Sequence, residues 1–200
     1  MPQLQGYTLK ETLFSNNQTE VFRAKRTSDE QSVIVRTISD KKADEASGSS
    51  TGPGTLATRA SGRYFRLAFT HEVLKQFDHP SIVKVIDWVD DNCNSDSSLQ
   101  PELINSAPSL VMEDIQGIDL WAYALTFDNK QAPLEDFLKL AIQLADALSV
   151  IHHAQVIHKD LHPGNIVVNP ESGQAQIIDF DLASLLSREQ PAIKTPDKLE

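Results

Sequence analysis

The sequence predicts an α+β fold, strand-rich in its first half and led by a helix in its second. Three observations carry this expectation. Tyr7–Arg26 and Ser32–Ile38 are extended in character, the latter (SVIVRTI) a β-branched run behind the polar turn Thr27–Gln31. Pro133–His152 places Leu134, Leu138, Ala141, Ile142, Ala145 and Leu148 at helical spacing. Near the end, the apolar pair Ile177-Ile178 follows a turn-rich stretch, as in a β-hairpin.

The remaining elements follow in order. Ser39–Gly62 reads as a loop, since Lys41-Lys42 and SGSSTGPG show no apolar period. A helix is expected over Arg63–Phe77, with Phe65, Phe69, Val73, Leu74 and Phe77 on one face. It stops before His79-Pro80, and Ile82–Val89 resumes as a strand. Asp90–Ser109 is a second polar insertion, and Leu110–Ile115 a short strand.

Composition narrows the function classes. Two hundred residues with 40% hydrophobic content suffice for a real core. No apolar run approaches the ~18 residues of a membrane span, and MPQLQGYTLK lacks a signal-peptide profile. Cys93 is the single cysteine, so no internal disulfide forms and a cytoplasmic location is expected. A net charge of −10 argues against nucleic acid as the main partner.

The chemistry concentrates in residues 157–181, IHKDLHPGNIVVNPESGQAQIIDFD. Asp160 and Asn165 lie five apart, and Asp179 follows fourteen residues after Asn165. A short loop followed by a hairpin brings all three into one volume. Asp160 is then placed to accept the proton of an attacking hydroxyl, and Asn165 and Asp179 to hold Mg²⁺ against ATP phosphates. Hard oxygen donors without a thiol suit Mg²⁺ rather than zinc. His152-His153 end a helix with no third ligand at zinc spacing.

This segment resembles the catalytic core of the protein kinases, with HKD for His-Arg-Asp and DFD for Asp-Phe-Gly. FDHPSIVKVIDW and SLVMEDIQGIDL are similar to the segments that lead through the fourth and fifth strands to the hinge between lobes. The resemblance implies a bilobed fold. Residues 1–115 form a complete small lobe, a five-stranded antiparallel sheet plus one helix, with insertions near 39–62 and 90–109. Residues 116–200 form the first part of a helical large lobe and stop inside the activation segment. Such a domain needs roughly 250–300 residues, so a missing C-terminal part is expected as partner, and low solubility and weak activity for residues 1–200 alone. The resemblance makes Asp160 the catalytic base and Asn165 and Asp179 the metal ligands. Phe180 and His158 become the packing residues behind them. ATP would contact Val21, Ile34, Arg36, Met112, Glu113, Ile115 and Val167, with Met112 as gatekeeper. His162 stands where kinases of the serine/threonine type usually carry a catalytic lysine.

Several positions depart from the family pattern. The three glycine positions of the phosphate loop hold Phe14, Asn16 and Thr19. Arg36 replaces the third-strand lysine, fifteen residues after Val21, and a guanidinium is not a point-like ammonium. The acid expected on the helix falls on Thr70; Glu72, two residues on, lies about 200° around the helix. Glu72 therefore serves Arg36 only if the helix end is shortened. Asp181 replaces the glycine after Asp-Phe, and Lys159 the arginine before Asp160. Three functions remain open. A serine/threonine-type protein kinase leads; the catalytic segment also resembles the N-terminal kinase domain of large signalling proteins that carry an ATPase module and a histidine kinase. A pseudokinase scaffold and a small-molecule phosphotransferase of the aminoglycoside and choline kinase type follow.

Overall fold

A computed structural model describes residues 4–39, 55–90, 107–128 and 132–186, with side chains in its first helix from residue 62 onward. Most of both predicted insertions, including Lys41, Lys42 and Cys93, and the segment after 186 lie outside the described residues.

The first lobe is a five-stranded antiparallel sheet in the order β1-β2-β3-β5-β4, formed by Tyr7–Ser15, Thr19–Arg26, Ser32–Ile38, Ser109–Glu113 and Val85–Val89 respectively. Alternation along β2 and β3 buries Phe22, Ala24, Val33 and Val35 on one face, where Leu4 and Val111 complete a small core. Helix α1, Thr55–Leu74, packs on the other face.

α1 differs from the expected Arg63–Phe77 at both ends. It begins eight residues earlier because Leu-Ala-Thr-Arg-Ala are adequate helix formers and Gly62 is tolerated inside. Nothing lies within 4 Å of where a Cβ on Gly62 would stand, so that glycine costs only its propensity. Beyond Leu74 the chain tightens into i→i+3 bonds (Gln76 to Val73, Phe77 to Leu74) and still buries Phe77. The fourth strand starts at Val85 rather than Ile82. Ile82 instead forms a parallel bridge to Ile177, and Val83 N–H donates to the Ile177 carbonyl at 3.0 Å. Residues 81–83 thus stitch the first lobe to the second.

The second lobe is built on α3, Leu134–His153, whose buried Leu140, Ala147 and Ile151 face a hairpin of β8 (Ile166–Val168) and β9 (Ala175–Ile177). Short elements that the sequence did not signal complete it. β6 (Ile118–Asp119) extends the hairpin, α2 (Leu120–Ala124) follows it, and β7 (Val156–Ile157) pairs with β10 (Ser184–Leu185). The hydrophobic core is continuous between lobes: Val73, Leu74 and Phe77 meet Ile151, Val156, Ile177 and the fully buried Phe180. No described helix is long and apolar enough to cross a membrane.

Candidate functional site

Val21 and Arg23 of β2 and Ile34 and Arg36 of β3, which do not enter the small core, face a cleft between the lobes. Val21 lies directly across from Arg36, and Ile34 across from Met112, so four side chains form one strip. The cleft holds about 580 Å³. Val21, Ile34, Arg36, Met112, Glu113 and Ile115 wall it from the sheet and hinge, and Val167, Asn165 and Asp179 from the second lobe. It gathers every sequence-predicted nucleotide contact except Glu72.

At the hinge the Glu113 N–H is held by the Lys84 carbonyl and the Ile115 carbonyl by Asn169 Nδ2, while the Ile115 N–H has no acceptor among the described residues. Gly117 permits this path. A Cβ there would stand 2.4 Å from Val167 Cγ1 and 2.9 Å from the Val168 carbonyl, so only glycine fits. Asp114, missed from sequence, locks the turn by accepting from Arg23 Nε (2.9 Å), Ser32 Oγ (2.7 Å) and the Gln116 N–H.

The deeper end is organised by hydrogen bonds between loop and hairpin. Asn165 Nδ2 donates to the Asp160 carbonyl at 2.9 Å and to Asp160 Oδ2 at 3.1 Å. This fixes the amide so that its oxygen has no donor among the described residues. The Asn165 carbonyl accepts from Ile178 N–H, one residue before Asp179. Buried His158 joins the same parts: its Nδ1 accepts from Asp160 N–H and its Nε2–H donates to the Ile178 carbonyl at 2.9 Å. Its ring meets Phe180 edge-on at 4.6 Å. Asp160 is not in the cleft wall; it is half exposed beside Asn165, and His162 Nε2 lies 3.8 Å from its Oδ2. The His162 Nδ1 accepts from Gly164 N–H, which turns Nε2 toward the carboxylate.

Arg36 does not meet Glu72. The register of α1 turns Glu72 outward, where Lys75 and His71 pair with it and Lys75 holds its carboxyl below the usual range. Thr70 occupies the inward position instead. Arg36 Nη1 donates to Asp179 Oδ1 at 2.9 Å and Nη2 to Asp181 Oδ2. Burial raises the Asp181 carboxyl above its ordinary value while the Arg36 charge opposes that rise. Arg36 Nε is buried with no acceptor among the described residues. Such an orphan donor costs about 1–3 kcal/mol and is a fitting partner for an anion. An oxygen from Asn165 and the second oxygen of Asp179 are hard donors suited to a cation, and the guanidinium beside them suits the polyphosphate that would carry it.

The β1–β2 turn, which lacks the family's glycines, is closed by a side chain. Asn16 Oδ1 accepts from the N–H groups of both Gln18 and Thr19 at 2.8 Å, so two turn amides are capped by their own loop.

Comparison with known proteins agrees with this architecture. The protein kinase domain family matches residues 7–197. The serine/threonine-protein kinase PkaA of Streptomyces coelicolor is 34% identical over 62% of this chain and 21% of its own length. Protein kinase MCK1 of Saccharomyces cerevisiae is 30% identical over 61% of this chain and 31% of its own. Cyclin-dependent kinase 4 of Xenopus laevis is 33% identical over 57% of this chain and 33% of its own. The chain thus spans between a fifth and a third of these relatives. With the two-lobed fold and a family match across nearly its whole length, this chain belongs to the protein kinase domain family.

Proposed function

We propose that the protein transfers the γ-phosphate of ATP, as its Mg²⁺ complex, to a serine or threonine hydroxyl of a protein substrate. The adenine would lie against Val21, Ile34, Met112 and Val167, with the Ile115 N–H as a hinge donor. Asn165 and Asp179 would hold Mg²⁺, which supplies charge neutralisation at the phosphates. Asp160 uses one oxygen to hold Asn165 and keeps the other for the substrate hydroxyl. The hydroxyl proton passes to Asp160, its oxygen bonds the γ-phosphorus, and the bond to the β–γ bridging oxygen breaks. ADP leaves with that electron pair. His162, beside Asp160, would support the incoming phosphate where a lysine does so in serine/threonine kinases. The names of the relatives favour serine/threonine acceptors, and their greater length favours a module within a longer signalling protein.

The observation that carries this reading is the place of Asn165: it shares the cleft wall with Asp179, its amide bonds Asp160 just outside that wall at 2.9 and 3.1 Å, and its carbonyl holds the residue before Asp179 at 3.0 Å. Radiolabelled phosphate transfer by the protein and by Asp160→Asn tests it. The variant should lose about 10²–10⁴-fold in rate with ATP affinity kept. Equal rates in the two proteins would sink the proposal.

One observation favours a second reading, a nucleotide-binding scaffold with little turnover. The self-capped β1–β2 turn withholds two amides from a phosphate. ATP binding without any transfer in the same assay would establish that reading instead.

A further inference from the structure

Helix α1 brings no acid to Arg36. Its one carboxylate, Glu72, is exposed and paired with Lys75, and the inward position is the buried, neutral Thr70. The acid comes from the opposite lobe. Asp181 Oδ2 accepts from Arg36 Nη2, and Asp181 Oδ1 lies 3.0 Å from Thr70 Oγ1. Thr70 has one hydroxyl proton and two acceptors in reach, Asp181 Oδ1 and the Arg66 carbonyl, both at 3.0 Å. The carboxylate is the stronger acceptor.

We propose that Asp181 is the positioning acid of this site, clamping α1 and β3 to the segment after β9 so that Arg36 reaches Asp179 from one fixed direction. The inference rests on the proposed phosphotransfer for its consequence, but the clamp itself is a matter of geometry. Asp181 stands behind Arg36, outside the cleft wall that Arg36, Thr70 and Asp179 help form. It therefore acts through Arg36 rather than on a nucleotide. The substitution of an acid for a glycine after Asp-Phe and the displacement of the helix acid become one change: the carboxylate has moved from α1 to the far lobe. A side effect is that α1 cannot swing away while the Asp179–Asp181 segment keeps its place, because Asp181 holds both Thr70 and Arg36.

The test uses Asp181→Asn, Asp181→Gly, and Asp181→Gly combined with Thr70→Glu, which returns the acid to α1. Steady-state phosphotransfer and amide hydrogen exchange are measured on each. Both single variants should lose about 10- to 100-fold in kcat, the effect of one charged hydrogen bond. Amide protection in the last turns of α1 and at Phe180 should fall at least about tenfold in the single variants. The double variant should recover most of the loss in kcat and in α1 protection, which a merely structural role for Asp181 would not allow. Wild-type protein without phosphotransfer would defeat the proposed function and leave exchange alone to judge the clamp. Unchanged exchange in the single variants, or no recovery in the double variant, would overturn the clamp.

Discussion

At Asp179 the backbone enters the left-handed region, φ 59°, and Lys159, just before Asp160, does the same at φ 66°. Short Asp tolerates this conformation; Lys does so at a cost of order 1–3 kcal/mol. The surroundings hold both: Asp179 is gripped by Arg36, and Lys159 lies between His158 and Asp160, which bond each other. Residue chemistry away from the cleft is equally specific. The Tyr7 hydroxyl donates to Asp87 Oδ2 at 3.0 Å, and burial, followed by the Asp87 bond and charge, pushes its pKa from 10.0 up to about 12. The fold favours the neutral phenol, so this stabilisation is complete below pH 10 and is lost as pH climbs from 10 toward 12. Among the three tyrosines, Tyr7 should ionise late in a phenolate absorbance titration, and Tyr7→Phe should lessen the loss of thermal stability over that range. Titration of Tyr7 near pH 10 would contradict the Asp87 contact. Spacing singled out Asp160, Asn165 and Asp179 as candidates, and the kinase resemblance added Arg36. Neither could reveal Asp181, because a glycine replaced by an acid reads as lost freedom until its oxygens are seen to reach Arg36 and Thr70.

Among the elements, the β1–β2 hairpin departs from the family pattern at all three glycine positions around its turn. Its strands pair from Tyr7 with Arg26 to Ser15 with Glu20, with two register shifts along β1. Asn16 then does for the turn what bound phosphate would do for glycine amides. Asn16→Gly should release the Gln18 and Thr19 amides and tighten ATP binding by about 5- to 10-fold, the worth of roughly one hydrogen bond. Calorimetric titration of both proteins checks this, and weaker binding by the variant would show that Asn16 supports the nucleotide instead. Strand identities were readable because β-branched runs announce them. The start of α1 was not, since Gly62 and the lack of apolar period resemble a loop where helix propensity in fact suffices. The strand at Ile82 was misplaced because its apolar run serves two sheets, Ile82–Val83 bridging to β9 and Val85–Val89 pairing with β5.

For the molecule as a whole, one of the hydrophobic clusters spans both lobes, and Phe180 packs at its centre against Phe77 and His158. The cleft geometry therefore depends on core packing as much as on polar contacts. α3 is amphipathic in an unusual sense: one side is buried, yet Leu134, Phe137, Leu138 and Ile142 are exposed along another. A contiguous apolar stripe on a surface is an association site. Residues 1–200 should self-associate at micromolar concentration, and Leu138→Glu with Ile142→Lys should shift sedimentation toward monomer while leaving helix content unchanged. Identical sedimentation of variant and parent would show that the stripe is not an association site. The periodicity that identified α3 did not separate its buried face from this exposed one, since both are apolar.

The proposed phosphotransfer requires Asn165 and Asp179 to act together on a cation-bound nucleotide. The direct measurement is ATP affinity with and without Mg²⁺, for the wild-type protein, Asn165→Ala and Asp179→Ala. Magnesium should tighten ATP binding to the wild type at least about tenfold, and that gain should vanish in Asp179→Ala and shrink in Asn165→Ala. A magnesium gain that persists undiminished in both variants would contradict the site.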